Sequence, residues 1–203
     1  MIVYCCAAAL VSFQLLRLGI KQLCFLFVPP TDFSDRLISM SAMALLTGLF
    51  LVLFRTRKID LSIFPINFSR SYLVGSPVFC LLFLTAPSNF TEGFRAIILL
   101  VYSSIITPIF EELIFLGYVW EQLSVIFNRE SAVYLVSSVL FGIWHLGYFD
   151  SIALRVDSNL VEALFWKVTT GLCYGLVLGL LRWRTKNCYS TMLLHGAMNI
   201  FGR

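Results

Sequence analysis

Apolar residues run along this chain in seven blocks, and the breaks between them are short, charged or proline-bearing. The blocks cover residues 2–28, 37–54 and 72–86, a stretch beginning near residue 96, and then 132–149, 161–181 and 189–201. A helix that crosses the hydrocarbon core needs about 20 mostly apolar residues. The pattern therefore predicts an all-α, polytopic transmembrane bundle of about seven spans, with residues 1–203 forming a single membrane domain. Arg17 and Lys21 interrupt the first block, and Pro29 and Pro30 end it. The block at 72–86 is short for a span. No internal repeat or low-complexity tract divides the chain.

Polar residues inside these blocks carry the functional information. Glu111 and Glu112 stand side by side between two uncharged stretches, residues 96–110 and 113–120. An ionisable side chain at membrane depth costs about 2.5–3.5 kcal/mol on insertion scales and marks a functional site by default. Both histidines of the chain, His145 and His195, also lie in apolar runs.

Composition supports the membrane reading. The chain is 59% hydrophobic and 13% charged, against about 25% charged in soluble domains, so a water-exposed surface would be largely apolar. A net charge of +4 is no nucleic-acid signature, because the basic residues flank apolar blocks as topology signals do. If seven spans alternate, Arg55, Arg57, Lys58, Arg70, Arg129, Arg182, Arg184 and Lys186 fall on one side and Arg36, Arg95 and Arg155 on the other. This asymmetry predicts a cytoplasmic N-terminus. Cys5, Cys6, Cys24, Cys80, Cys173 and Cys188 form no CxxC pair and are expected to be small apolar core residues. No basic leader precedes the first block, so no cleaved signal peptide is expected.

Gly171, Gly175 and Gly179 recur every fourth residue and let a second helix approach closely. Packing within the monomer is expected to use this stripe in preference to a dimer face. His195 and Asn199 share a helix face, as do Phe141 and His145. Glu111 and Glu112 are about 100° apart on a helix, so both can edge one cavity. Pro108 lacks a backbone donor and is expected to kink or restart the helix, which would set the carboxylates in a first turn favoured by the helix dipole.

Two adjacent carboxylates in a low-dielectric site favour a state in which one holds a proton and the other does not. Such a pair suits general acid–base work. One glutamate takes a proton from water, the histidines donate to a developing oxyanion, and Asn199 orients them or joins them. Alternatively, His145, His195 and Glu111 make a zinc site with an open position for water. Spacing alone leaves both open, and leaves protease and transporter open as well.

The residues resemble those of a known family. Thr107-Pro-Ile-Phe-Glu-Glu-Leu-Ile-Phe-Leu-Gly117 looks like the EExxxR motif of the CPBP family (CAAX prenyl endopeptidase and bacteriocin-processing, or abortive-infection, proteins). Phe141-Gly-Ile-Trp-His145 matches its FxxxH motif, and His195-Gly-Ala-Met-Asn199 its HxxxN motif. The resemblance covers residues 107–199. It implies an intramembrane endopeptidase acting on a membrane-associated peptide, prenylated or leader-like, in a bacterial inner membrane. Glu111 would activate water, Glu112 would support it, and His145, His195 and Asn199 would line the site and stabilise the oxyanion. No metal cofactor is expected by this likeness, with zinc the alternative. The partners implied are a peptide or protein substrate and the bilayer, and no oligomeric state follows.

One position departs from the pattern. Its arginine falls at Leu116, one turn beyond Glu112, where leucine cannot pair with a carboxylate. Glu112 is then expected to be protonated or to use Asn199 or Lys167, and Leu116→Arg to raise activity. The departure also admits a catalytically degenerate member, an immunity or scaffold protein that binds peptides without cutting them. A proton-coupled transporter is the remaining class. Depth poses a further question. His145 falls about 20 Å into its span at 1.5 Å per residue, whereas His195 comes near the start of its own, so one cavity has to reach both.

Overall fold

A computed structural model describes residues 2–86 and 93–201, with side chains described from Cys6 onward. The described residues form seven helices and no strand: α1 (Ile2–Phe25), α2 (Asp32–Thr56), α3 (Arg70–Leu84), α4 (Gly93–Ile126), α5 (Glu130–Ala153), α6 (Leu160–Thr185) and α7 (Cys188–Phe201). Five of them, α1, α2, α4, α5 and α6, are long and apolar enough to cross a membrane. Helix α3 has 15 residues and α7 has 14, about 22 Å or less at 1.5 Å per residue, short of the roughly 30 Å core. The chain is thus an all-helical, multi-pass integral membrane protein with five long spans and two shorter helices, where the apolar pattern alone counts seven.

Local chemistry sets several of these boundaries. Pro29 and Pro30 cannot extend α1. Helix α2 then begins at a capping box, in which Ser34 N donates to Thr31 Oγ1 (3.2 Å) and Thr31 N to Ser34 Oγ (2.8 Å). The outer surface is apolar, as at Leu15, Leu23, Val52, Leu73 and Phe165, which suits lipid. Inside, Phe110, Phe115, Phe141, Trp144 and Leu178 share one buried cluster. Cys6 and Cys188 are buried as expected, but Cys80 and Cys173 are exposed on the outside of their helices. A cysteine is apolar enough for either place. Cys5 lies outside the residues whose side chains are described.

The glycine stripe packs within the monomer. A Cβ added at Gly175 would stand 2.9 Å from the Ser138 carbonyl oxygen, one at Gly179 2.9 Å from the Tyr134 ring, and one at Gly171 2.4 Å from His145 Nδ1. Helices α5 and α6 therefore run antiparallel at a separation only glycine permits. Ser138 Oγ donates to the Gly175 carbonyl (2.9 Å) across the same seam.

Two helices change their winding near the acidic pair. Helix α4 widens to a π-helix over Tyr102–Ile106, tightens for Thr107–Glu112, and widens again over Leu113–Val119. The widening shifts the hydrogen-bond register before Pro108, so the missing N–H is absorbed without a break. The expected restart does not occur, and neither carboxylate stands in a first turn. Helix α5 tightens to a 3₁₀ turn over His145–Tyr148.

At the end of the bundle that holds the C-termini of α2, α4 and α6, the start of α7 is covered. Residues 59–69 fold back over the start of α7, where Cys188 N donates to Ser62 O (3.0 Å) and Tyr189 N to Ile63 O (2.8 Å). Cys188 and Asn187 are fully buried beneath them.

Candidate active site

A cavity of about 340 Å³ runs into the bundle between α2, α4, α5, α6 and α7. Glu111, His145, His195 and Asn199 all line it, together with Tyr148 and Tyr174. Four of the five residues singled out from the sequence thus meet in one hollow. The fifth, Glu112, does not reach it and sits directly behind.

Glu111 is buried and faces the cavity. Its Oε1 accepts a hydrogen bond from the Tyr148 hydroxyl at 2.6 Å, and the Trp144 indole donates to that same hydroxyl oxygen at 3.1 Å. Its Oε2 lies 3.9 Å from His195 Nε2, too far for a direct hydrogen bond and open to a bridging molecule. The 3₁₀ turn of α5 matters here, because it sets His145 and Tyr148, three residues apart, onto one face.

His195 is held from behind. Its Nδ1 lies 2.8 Å from Glu112 Oε1, while Nε2 points toward Glu111. A carboxylate on one ring nitrogen fixes the tautomer and presents the other nitrogen to the cavity. Glu112 therefore has a partner that spacing did not suggest, and neither Asn199 nor Lys167 serves it. Its second oxygen is buried with no hydrogen-bond partner. His145 Nδ1 lies 2.8 Å from the Phe141 carbonyl, one turn back, and Asn199 Nδ2 donates to Ser103 O at 2.7 Å. The carbonyl at Ser103 belongs to the first π-segment of α4, so the widened backbone supplies an acceptor to α7.

The depth question resolves through the helix ends. Helix α4 continues to Ile126, fifteen residues beyond Glu111 or about 22 Å at 1.5 Å per residue. Glu111 is thus deep in its span. Helix α7 starts beneath residues 59–69, so His195 is carried inward to the same level as His145.

Polar and charged residues to which the apolar pattern gave no role support the 3₁₀ turn. On α1, Gln14 Nε2 donates to Trp144 O (3.2 Å), and Arg17 donates to the Gly147 carbonyl and lies over the Tyr148 ring at 4.8 Å. Lys21 pairs with Asp35 and Asp150 and donates to Ser151. The signal was present: Arg17 and Lys21 break an apolar run at one-turn spacing, as buried charges in a span do. Tyr148 gave none, since a tyrosine near a span end is ordinary.

The donors do not assemble as a metal site. Among the described residues, no three His, Cys, Asp or Glu side chains converge on a point where they could hold an ion. In the alternative zinc set of His145, His195 and Glu111, each histidine has Nδ1 engaged, by the Phe141 carbonyl and by Glu112, and Glu111 Oε2 lies 3.9 Å from His195 Nε2.

Position 116 has its own explanation. Leu116 is buried in the apolar core, and its carbonyl accepts from Arg182 Nε at 2.7 Å. Arg182, itself buried on α6, also donates to Glu121 Oε1 at 2.7 Å. A guanidinium therefore already stands beside position 116, supplied by another helix. Leu116→Arg is expected to lose at least half of the folded yield in detergent, because it buries a second cation next to the first. Adding Arg182→Leu should recover much of that loss. Equal stability of Leu116→Arg and the wild-type chain by thermal unfolding would contradict this packing.

Comparison with known proteins agrees with the geometry. A family model described as Type II CAAX prenyl endopeptidase Rce1-like matches residues 93–201, which is more than half the chain and includes every residue discussed on α4, α5 and α7. No curated protein and no solved structure matches it.

Proposed function

Because this chain belongs to the Rce1-like family of type II CAAX prenyl endopeptidases, we propose that it is an intramembrane endopeptidase in which Glu111 activates water to hydrolyse a peptide bond of a membrane-associated substrate. The observation that carries the reading is the geometry of Glu111. One carboxylate oxygen is engaged by Tyr148 and the other faces His195 across a gap of 3.9 Å. A water in that gap has an acceptor on one side and an imidazole on the other.

The steps then balance with the chain's own groups. Water gives a proton to Glu111 Oε2 as its oxygen attacks the substrate carbonyl carbon. The carbonyl oxygen becomes the oxyanion of a tetrahedral intermediate, and the Asn199 amide, whose side chain lines the cavity, is a donor to it, whereas His145 gives its Nδ1 proton to the Phe141 carbonyl and donates from Nε2 only as an imidazolium. Glu111 returns the proton to the leaving nitrogen as the C–N bond breaks, which frees a new amine and a new carboxylic acid that then loses its proton to water. Glu112 acts through His195, whose orientation it sets. No step of this scheme calls on a metal.

The N-terminus is proposed to be cytoplasmic and the membrane a bacterial inner membrane, the first from the basic loops and the second from family likeness. A peptide-binding relative without hydrolysis is the second reading, favoured by Leu116 in place of the family's arginine. One experiment separates the two. The purified protein in detergent should cut a panel of membrane peptides, prenylated and unprenylated, with new termini identified by mass spectrometry and the rate unchanged by a chelator. Binding without any new terminus would support the second reading. A rate lost on chelation and restored by zinc would overturn the metal-free mechanism.

A further inference from the structure

A second hollow, of about 590 Å³, opens between α3, α6 and α7, apart from the catalytic cavity. Its walls hold neither glutamate of the acid pair and neither histidine, so whatever it takes up is held and not cut. Its volume falls within the range of small-molecule sites, about 300–1,000 Å³. Helix α3 borders it on one side and has no buried residue of its own. Hydroxyl contacts tie α3 to the start of α7: Ser76 Oγ lies 2.7 Å from the Tyr189 hydroxyl, Tyr72 lies 3.3 Å from Ser190 Oγ, and Asn187 Nδ2 donates to Tyr72 at 2.8 Å. These contacts hold α3 to α7, and the hollow lies between α3 and the end of α6.

The hollow is polar at its outer end and apolar within. Arg184, in the last turn of α6, lines it with Ser69 and Ser71 at the start of α3 and Ser190 in the first turn of α7. The Ser69 hydroxyl makes no cap bond to its own helix. Arg70, between the two lining serines, is exposed. No aspartate or glutamate lines the hollow. The acids at this end are engaged elsewhere, Glu121 by Arg182, Glu130 by Lys186 and Asp60 by the Ser62 amide. Further along α3 the wall becomes Gly75 and Phe79, with Leu193 of α7. Phe79 is nine residues from the start of α3, about 14 Å at 1.5 Å per residue. A Cβ added at Gly75 meets nothing within 4 Å, so the space beside it is open.

A guanidinium and hydroxyls above an apolar slot match a phosphate above an acyl chain, and basic pockets between membrane helices take up lipid headgroups in this way. The net charge of the headgroup follows from the walls. A zwitterionic head would bring an ammonium beside Arg184 and Arg70, with no carboxylate in the hollow to receive it. An anionic head brings only charge that the arginines favour. We propose that this hollow binds one anionic phospholipid, with its phosphate at Arg184 and an acyl chain along Gly75, Phe79 and Leu193. The occupant also braces the catalytic helix. Leu194, another lining residue, directly precedes His195 on α7, the helix that carries Asn199 as well. The assignment of the hollow does not depend on the hydrolase reading.

The test uses the full chain, purified in detergent and stripped of co-purifying lipid. Dioleoyl phosphatidylglycerol and dioleoyl phosphatidylcholine share their chains and differ in net charge. Each is titrated in turn, and bound lipid is counted by native mass spectrometry. The wild-type chain should bind one phosphatidylglycerol at least about tenfold more tightly than phosphatidylcholine. Its thermal unfolding midpoint should rise more with the first lipid than with the second. Arg184→Gln should cut the preference to below about threefold. Gly75→Leu fills the slot and leaves every charge in place, and should weaken both lipids by at least about fivefold. Arg57→Gln removes a basic residue outside the hollow and should bind as the wild-type chain does. Glycerol 3-phosphate, a headgroup without chains, should not displace the lipid at equal concentration. Its displacing the lipid would assign the site to a free phosphate and overturn the proposal. Equal affinity for the two lipids would overturn it, as would an unchanged preference in Arg184→Gln or unchanged binding in Gly75→Leu. The two variants alter opposite ends of the hollow, so if one fails to fold the other still decides.

Discussion

Glu111→Gln should lower the rate of peptide cleavage by at least about 10²–10⁴-fold, the contribution expected of a positioned general base, and leave the fold intact. Glutamine has nearly the volume of glutamate, and its amide oxygen still accepts from Tyr148, whose hydroxyl lies 2.6 Å from Oε1. What it lacks is any capacity to take a proton from water. The thermal unfolding profile should stay close to that of the wild-type chain, since the site is buried and the replacement keeps its hydrogen bond. His195→Ala is the less informative variant. It strips Glu112 of the partner at 2.8 Å and leaves a carboxylate buried with nothing to pair with, so lost activity there would mix chemistry with instability. Wild-type rates in Glu111→Gln, measured on well-folded protein, would remove Glu111 from the reaction and the proposed mechanism with it.

The comparison of sequence and structure has a physical pattern. Helices were legible because an uninterrupted apolar run admits few other folds in lipid, where every backbone group has to be satisfied within its own segment. The glycine stripe was legible for a related reason, since three small residues at one-turn spacing have few uses besides close packing. Glu111, His145, His195 and Asn199 were legible as rare polar residues in apolar surroundings, and the cavity joins all four. The separate task of Glu112 was not, because adjacent residues on a helix diverge by about 100° and the sequence does not say which one faces the hollow. The π-segments of α4 left no trace either, since each is one displaced hydrogen bond with no residue type of its own. The recessed start of α7 depends on two backbone bonds to residues 62 and 63, far away in the chain. Contacts of that kind have no local signature.

Lys21→Met is expected to cost about 3–5 kcal/mol of folding stability, the penalty for removing one partner of a buried ion pair. Lys21 is almost fully buried, as is Asp35, and it pairs with both Asp35 and Asp150 while donating to Ser151. Methionine fills the space but leaves two carboxylates facing an apolar side chain, with Arg155 and Arg17 the cations that remain near them. Pairing Lys21→Met with Asp150→Asn should return a substantial part of the loss, because one of the stranded charges goes with its partner. Arg36→Met supplies the contrast. Its pair with Asp32 is a half-exposed one-turn contact at 2.9 Å that Arg155 duplicates, and pairs of that kind are worth about 0–1 kcal/mol. Thermal or denaturant unfolding in one detergent measures all three. The consequence reaches the site, since Lys21 and Arg17 tie α1, which lies outside the family-matched residues, to the turn that carries His145 and Tyr148. Lys21→Met should therefore lose activity at temperatures where it is still folded, as the Tyr148 contact with Glu111 loosens. Equal stability of Lys21→Met and Arg36→Met would show that the charges beneath α1 are solvated, and that the turn is held by packing alone.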